Sequence, residues 1–127
     1  MAEFVRLLPE EYDVDADRVG LFGFSQGAKA GLAALIDRPE RYRWVVALNG
    51  FLPRSYDDPD EVANAEGKPV FIGVGENDDV IAPRYGRESA ELLDEAGLDV
   101  TFRTYPVGHR MSREEFADVS DWLDSQW

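Results

Sequence analysis

The feature that most constrains the fold is a short apolar segment that runs directly into a serine bracketed by glycines. Residues 19–22 form a predicted strand that is apolar on both faces, and a G-x-S-x-G pattern follows at residues 23–27. Residues 25–36 carry alanine and leucine at helical spacing, and Pro39 lies just beyond them. The pattern therefore predicts a strand, a tight turn and a helix that succeed one another without a linker.

The rest of the chain continues this alternation of strands and helices. Apolar runs at residues 44–48, 70–74 and 100–104 are predicted as three further strands, and residues 83–96 and 112–127 as two helices. Strands alternating with helices predict a parallel sheet, and strands apolar on both faces fit a sheet that helices cover on each side. The predicted fold class is α/β, with about four mainly parallel strands flanked by helices.

Several helix ends carry local signals. Ser112 followed three residues later by Glu115 predicts a capping box at the start of the last helix. Gly97 is expected to cap the helix before it. The apolar stripe predicted for the last helix consists of Phe116, Val119, Trp122 and Leu123. Three further segments are predicted as a helix tail at residues 2–8, a polar connection at 13–18 and a loop at 52–67.

Composition narrows the class of protein. The 127 residues are 44% hydrophobic, which suits one folded domain, and the formal net charge of −13 argues against a nucleic-acid partner. Because the chain contains no cysteine, disulfides, thiolate metal sites and cysteine nucleophiles are excluded. No apolar run approaches the roughly 18 residues of a membrane span, and no signal peptide is visible. We therefore expect an acidic cytoplasmic protein without integral membrane association.

The glycine-bracketed serine predicts a nucleophile. In a nucleophile elbow, the serine occupies a strained turn at the C-terminal end of a strand, which here would be Ser25. Glycine at positions 23 and 27 is expected to remove clashes across this turn. The backbone N–H of Gln26 would lie at a helix N-terminus and could stabilise an oxyanion. A glycine-rich turn without chemistry is the alternative; a phosphate-binding loop is weaker, because no lysine follows the glycines as such loops require.

A base and an acid are predicted at the ends of two later strands. His109, the only histidine, follows the fourth predicted strand, and Asp78 follows the third. Carboxyl ends of parallel strands open onto one crevice, so both side chains are expected near Ser25. The order Ser, Asp, His along the chain is that of nucleophile-elbow hydrolases. Asp79 and Glu76, in the same loop, remain rivals for the acid.

These segments together resemble the phospholipase/carboxylesterase family of α/β-hydrolases, which includes acyl-protein thioesterases. The matching stretches are residues 18–28, 48–53, 75–81 and 105–109. The resemblance implies that Ser25, Asp78 and His109 form a catalytic triad and that the Gln26 N–H lines the oxyanion hole. It also implies hydrolysis of carboxylic esters, in some members lysophospholipids or acyl thioesters, without metal or cofactor.

The resemblance begins only near residue 18, so residues 1–127 are expected to form a single, N-terminally truncated α/β-hydrolase domain. The family's early strands, and a loop that supplies a second oxyanion donor, would be absent. Loss of one such donor typically costs about 3 kcal/mol of transition-state stabilisation. The first predicted strand would then be an exposed sheet edge, through which a homo-oligomer could form. A chain lacking its N-terminal part, a fragment and a short protein completed by a partner are all compatible with this pattern.

The leading functional hypothesis is a serine hydrolase that cleaves small-molecule esters or thioesters through an acyl-enzyme. The first alternative is a truncated, weak or inactive remnant that acts, if at all, as a binding module. A second is another hydrolase of the same fold, such as a peptidase or a dienelactone hydrolase, although the latter usually carries a cysteine nucleophile. Residues 51–56 could line a substrate pocket or could simply pack.

Overall fold

The computed structural model describes residues 19–56 and 58–126. The strands are β1 (Leu21–Phe24), β2 (Val45–Leu48), β3 (Pro69–Gly75) and β4 (Asp99–Tyr105). The helices are α1 (Gln26–Asp37), α2 (Pro59–Val62), α3 (Pro83–Glu95) and α4 (Arg113–Asp124), with single 3-10 turns at Arg54–Tyr56 and Ala63–Ala65. No helix in these described ranges is long and apolar enough to cross a membrane.

All four strands are parallel and lie in the order β1-β2-β3-β4, which confirms the predicted α/β architecture. The register places Phe24 beside Leu48, Leu48 beside Gly73, and Gly75 beside Tyr105. Because the strands are parallel, the loops that follow them emerge at one edge of the sheet. Within the described sheet, β1 is an edge strand, as expected.

Apolar side chains on both faces of the sheet hold the layers together. In β2, Val45 and Ala47 belong to one buried cluster, whereas Val46 and Leu48 belong to another, as the alternation of a strand requires. The first cluster also contains residues of α1 and α3, and the second contains Val119 of α4. Helices therefore cover both faces of the sheet, as predicted for strands that are apolar on both sides.

Two predicted segments have different bounds in the structure. β1 covers Leu21–Phe24 rather than 19–22, because it pairs with β2 up to the backbone reversal at Ser25. The predicted loop at 52–67 contains α2, where the Asp58 side chain accepts a hydrogen bond from the Asp60 N–H and Pro59 occupies the first helical turn. The predictions for residues 2–8 and 13–18 lie outside the described residues.

The last helix begins as predicted, and three of the four residues of its predicted apolar stripe pack against the sheet. Ser112 Oγ accepts from the Glu115 N–H at 3.0 Å, which is half of a capping box. The Glu115 carboxylate does not complete the box, because it is buried in the interior. Val119, Trp122 and Leu123 pack in the second cluster as predicted. Phe116 is 61% exposed and was wrongly assigned to the stripe, because Glu115, one turn before Val119, takes the inward position.

The end of α3 agrees with the sequence signal. Gly97 follows the helix with a φ of 95°, and its N–H donates to the Asp94 carbonyl. A left-handed glycine at this point is the usual way to end a helix, because a Cβ there would be strained. The chain then turns directly into β4.

Candidate active site

Ser25 occupies a sharp turn between β1 and α1. Its φ and ψ are 57° and −114°, a positive φ that residues other than glycine rarely adopt. Its N–H donates to the Leu48 carbonyl at 2.8 Å, which extends the β1–β2 ladder by one bond. Its carbonyl accepts from the Ala28 and Lys29 N–H groups and so starts α1. The predicted strained turn at the strand end is confirmed.

The two glycines of the pattern serve different purposes. A Cβ on Gly23 would overlap the backbone carbonyl of Gly27, because α1 folds back over the end of β1. A Cβ on Gly27 would meet no described atom within 4 Å apart from its chain neighbours and the backbone of its own helix. The expected steric need for glycine is therefore found at position 23 and was wrong for position 27.

Replacing Gly23 by alanine is expected to destabilise the fold by about 1–3 kcal/mol, because a backbone clash cannot be relieved by a side-chain rotation. Gly27→Ala is the matched control and should be neutral or slightly stabilising, since alanine is the better helix former. Urea unfolding of both variants measures the difference. Equal unfolding midpoints for the two variants would contradict this account of the turn.

His109 lies between the two other predicted site residues. Its Nε2 is 3.0 Å from Ser25 Oγ, and its Nδ1 is 2.7 Å from Asp78 Oδ2. The imidazole remains partly open, with 19% of the side chain exposed, and the Phe24 ring lies 5.0 Å away between centroids. The hydroxyl, the imidazole and the carboxylate therefore contact one another in series, although they come from three different strand ends.

Asp78 is held from both sides. Its Oδ1 accepts from the Val80 and Ile81 N–H groups, each at 2.9 Å, which leaves Oδ2 for His109. Burial of Asp78 by itself would raise the pKa of the carboxyl group, but the hydrogen bond to His109 and the two backbone N–H bonds outweigh it and lower the pKa. The carboxylate form is therefore favoured next to the imidazole.

The rival acids of the same loop point elsewhere. Glu76 and Asp79 are both exposed, whereas Asp78 is buried. The imidazole contacts Asp78. Of the three acids proposed from the sequence, the structure thus brings Asp78 into the series.

Gln26 is the first residue of α1, where backbone N–H groups have no acceptor within the helix.

A groove lies beside the loop that follows β2. It has a volume of about 450 Å³ and is lined by Phe51, Leu52, Pro53, Arg54, Tyr85, Glu88, Ser89 and Leu92. The Phe51 and Tyr85 rings pack with their centroids 5.3 Å apart, and Lys29 Nζ lies 4.8 Å from the centre of the Phe51 ring. Of the candidate pocket residues 51–56, residues 51–54 line this surface depression and residues 55 and 56 do not, although Leu52 also packs in the core.

Among the described residues, no group of three or more histidine, cysteine, aspartate or glutamate side chains is arranged to hold a metal ion.

Sequence reasoning missed two neighbours of the site. One is Phe24, whose ring contacts His109, and the other is Asn49, whose buried side chain bonds to two of the site's loops. Their position at strand ends was the available signal, but neither residue type indicates such a contact without the fold.

A family model described as phospholipase/carboxylesterase matches residues 2–126. The chain is 37% identical over 119 residues to acyl-protein thioesterase 1 of Debaryomyces hansenii, covering 91% of this chain and 51% of that protein. It is 34% identical over 129 residues to acyl-protein thioesterase 1 of Candida albicans, covering 97% of this chain and 56% of that protein. The chain thus spans about half the length of the curated relatives it matches.

Solved structures of a carboxylesterase and of an acyl-protein thioesterase also match this chain. The carboxylesterase of Bacillus cereus superimposes with a TM-score of 0.86 at 27% identity, over 99% of this chain and 58% of that one. Acyl-protein thioesterase 2 of Zea mays superimposes with a TM-score of 0.79 at 27% identity, over 98% of this chain and 62% of that one.

Proposed function

Because the chain belongs to the phospholipase/carboxylesterase family, with a partial α/β-hydrolase fold, we propose that it is a serine hydrolase of carboxylic esters or thioesters. The observation that carries the proposal is the unbroken series from Ser25 Oγ through the His109 ring to Asp78 Oδ2, with distances of 3.0 Å and 2.7 Å. Both distances allow hydrogen bonds. If Asp78 were only a solvated loop acid and His109 only a surface histidine, their alignment with the strained Ser25 would not be expected.

In the first step, Ser25 Oγ attacks the substrate carbonyl carbon while His109 Nε2 takes the hydroxyl proton. Asp78 Oδ2 accepts from Nδ1–H, which keeps Nε2 free as the base and stabilises the imidazolium that forms. The two backbone N–H bonds to Asp78 keep the carboxylate in place during this transfer.

The carbonyl oxygen becomes an oxyanion in the tetrahedral intermediate. The backbone N–H of Gln26, at the N-terminus of α1, is the proposed donor to this oxygen, because the helix dipole favours negative charge there. When the intermediate collapses, the bond to the leaving group breaks and the His109 imidazolium protonates the departing alkoxide or thiolate. The acyl group is left on Ser25.

Water completes the cycle. His109 removes a proton from a water molecule, which attacks the acyl carbonyl, and the second tetrahedral intermediate releases the carboxylic acid and restores the Ser25 hydroxyl. Since 19% of the His109 side chain is exposed, water has access to the imidazole.

A fluorophosphonate probe tests the proposal directly, because it forms a covalent bond only with an activated serine. The 127-residue chain is expected to be labelled on Ser25, and Ser25→Ala and His109→Ala should abolish labelling. Ser120→Ala, which removes an exposed hydroxyl from α4, is the matched control and should leave labelling unchanged. A folded wild-type chain that is not labelled would favour the alternative of an inactive remnant.

Substrate class is tested in the same preparation. We expect hydrolysis of a short p-nitrophenyl ester and of an acyl thioester, both of which the proposed acyl-enzyme route accommodates. Proteins similar to this chain include a carboxylesterase and acyl-protein thioesterases, which supports both bond types without choosing between them.

A further inference from the structure

The acid loop (residues 76–82, between β3 and α3) and the histidine loop (residues 106–112, between β4 and α4) are joined to each other by backbone hydrogen bonds. The Glu76 N–H donates to the Tyr105 carbonyl at 2.7 Å, and the Asn77 N–H donates to the Val107 carbonyl at 3.0 Å. These bonds fix Asp78 relative to His109. They do not fix either loop relative to β1, the strand that carries Ser25, because β2 lies between β1 and β3.

The link across β2 runs through two consecutive residues at its end. The Leu48 carbonyl points towards β1 and accepts from the Ser25 N–H at 2.8 Å. The N–H of the next residue, Asn49, points to the opposite side, towards β3. The Asn49 N–H donates to the Gly73 carbonyl of β3 at 2.8 Å. The turn of the nucleophile and the strand of the acid loop are therefore attached to opposite sides of one peptide unit, the one between Leu48 and Asn49.

The Asn49 side chain extends this attachment beyond the end of β2. Its φ is 53°, so β2 stops there and cannot offer a backbone partner to Gly75. Instead, Asn49 Oδ1 accepts from the Gly75 N–H at 3.0 Å, and Nδ2 donates to the Arg110 carbonyl at 3.3 Å. Asn49 is only 2% exposed, and its bond to Gly75 is buried, whereas its bond to Arg110 is partly buried.

We propose that Asn49 is a positioning residue that sets the distance between the Asp78–His109 pair and Ser25. Gly75 is the last residue of β3, directly before the acid loop, and Arg110 directly follows His109, so one side-chain amide is bonded at the start of the acid loop and within the histidine loop. An amide is suited to this task because it offers an acceptor and a donor on one rigid plane. The role rests on the proposed function, since it concerns the geometry of the proposed nucleophile and base.

Asn49→Gly separates this role from that of a simple turn residue. Glycine adopts the positive φ without strain and removes both side-chain bonds. We expect kcat for a short ester and the rate of fluorophosphonate labelling to fall about 10- to 100-fold, with KM within about twofold, because small displacements of a base have effects of this size. Asn64→Gly, at an exposed asparagine, is the matched control and should leave both rates unchanged.

A spectroscopic measurement makes the test independent of turnover. His109 is the only histidine, so ¹⁵N-histidine labelling yields one imidazole, and the Nε2 resonance of wild type and Ser25→Ala defines the signal with and without the serine hydrogen bond. We expect the Nε2 resonance of Asn49→Gly to move towards that of Ser25→Ala. If the wild-type chain does not hydrolyse esters, the proposed function is wrong, but the comparison of Nε2 resonances still tests whether Asn49 positions His109 relative to Ser25.

Asn49→Asp provides a second variant if the glycine variant does not fold. Its carboxylate can still accept from the Gly75 N–H but repels the Arg110 carbonyl instead of donating to it, so a shift in the same direction is expected. The proposal is overturned if a folded Asn49→Gly, or Asn49→Asp in its place, keeps the wild-type Nε2 resonance and a labelling rate within twofold of wild type.

Discussion

Replacement of Asp78 by asparagine is expected to lower kcat for ester hydrolysis by about 10⁴-fold while leaving the fold intact. Asp78 Oδ1 already accepts from two backbone N–H groups, so the amide oxygen of asparagine should stay on that side. The amide NH₂ would then face His109 Nδ1, where the carboxylate Oδ2 now lies. Donation from this NH₂ favours the tautomer with the proton on Nε2, which cannot accept the Ser25 proton.

The measurement is steady-state hydrolysis of a short ester, with circular dichroism and urea unfolding to show that the variant is folded. Asp79→Asn removes a neighbouring exposed carboxylate and is the matched control, for which we expect wild-type activity. A strong loss of activity in Asp79→Asn, or activity of Asp78→Asn within tenfold of wild type, would show that the imidazole depends on a different acid.

The second large effect concerns stability rather than chemistry. Glu115 of α4 is fully buried, and neither of its carboxylate oxygens has a hydrogen-bond partner in the described part of the chain. One oxygen packs against Gly73 of β3, where any side chain would collide with it. Burial raises the pKa of Glu115 from 4.5 to about 7, and the nearby Asp118 carboxylate acts in the same direction.

The raised pKa makes stability fall as the pH rises. Below pH 4.5 the carboxyl is protonated in both states, so it introduces no pH dependence. Between pH 4.5 and about 7 the unfolded chain releases the proton while the folded chain retains it, which favours unfolding. Above pH 7 this one group costs about 3 kcal/mol, at about 1.4 kcal/mol per pKa unit.

Glu115→Gln keeps the shape of the side chain and removes the ionisation. We expect the variant to match wild type in urea unfolding at pH 4 and to exceed it by up to about 3 kcal/mol at pH 8. Glu114→Gln, the exposed neighbour on the same helix, should follow the wild-type pH dependence. If the Glu115→Gln and wild-type curves remain parallel from pH 4 to pH 8, the carboxylate is not buried as the structure has it.

Much of the architecture and of the site was predictable because the signals are local. Strand and helix periodicity, the glycine-bracketed serine and the capping serine each act within a few residues, so Ser25 and the start of α4 at Ser112 were correctly placed. The single histidine left one candidate base. Asp78 was separated from its rivals only by hydrogen bonds formed across the sheet edge, which no local pattern reports.

The errors have a common cause. Glu115 was taken as half of a capping box and Phe116 as core, but the rotation of α4 about its axis is decided by what fits against Gly73 and Phe71. The predicted need for glycine at position 27 likewise assumed a steric contact across the turn, and the path of α1 leaves that space open. Side-chain packing between distant segments depends on distances that the order of residues does not contain.

The amino-acid sequence by itself determined the α/β alternation, the strained serine turn and the short set of side chains available for proton transfer. Tertiary structure decided which acid meets His109, that Glu115 rather than Phe116 is buried in α4, and that Asn49 bonds both to Gly75 and to Arg110. The physical reason is range: backbone conformation responds to neighbours along the chain, whereas a hydrogen bond between residues 25 and 109 exists only after four strands have aligned.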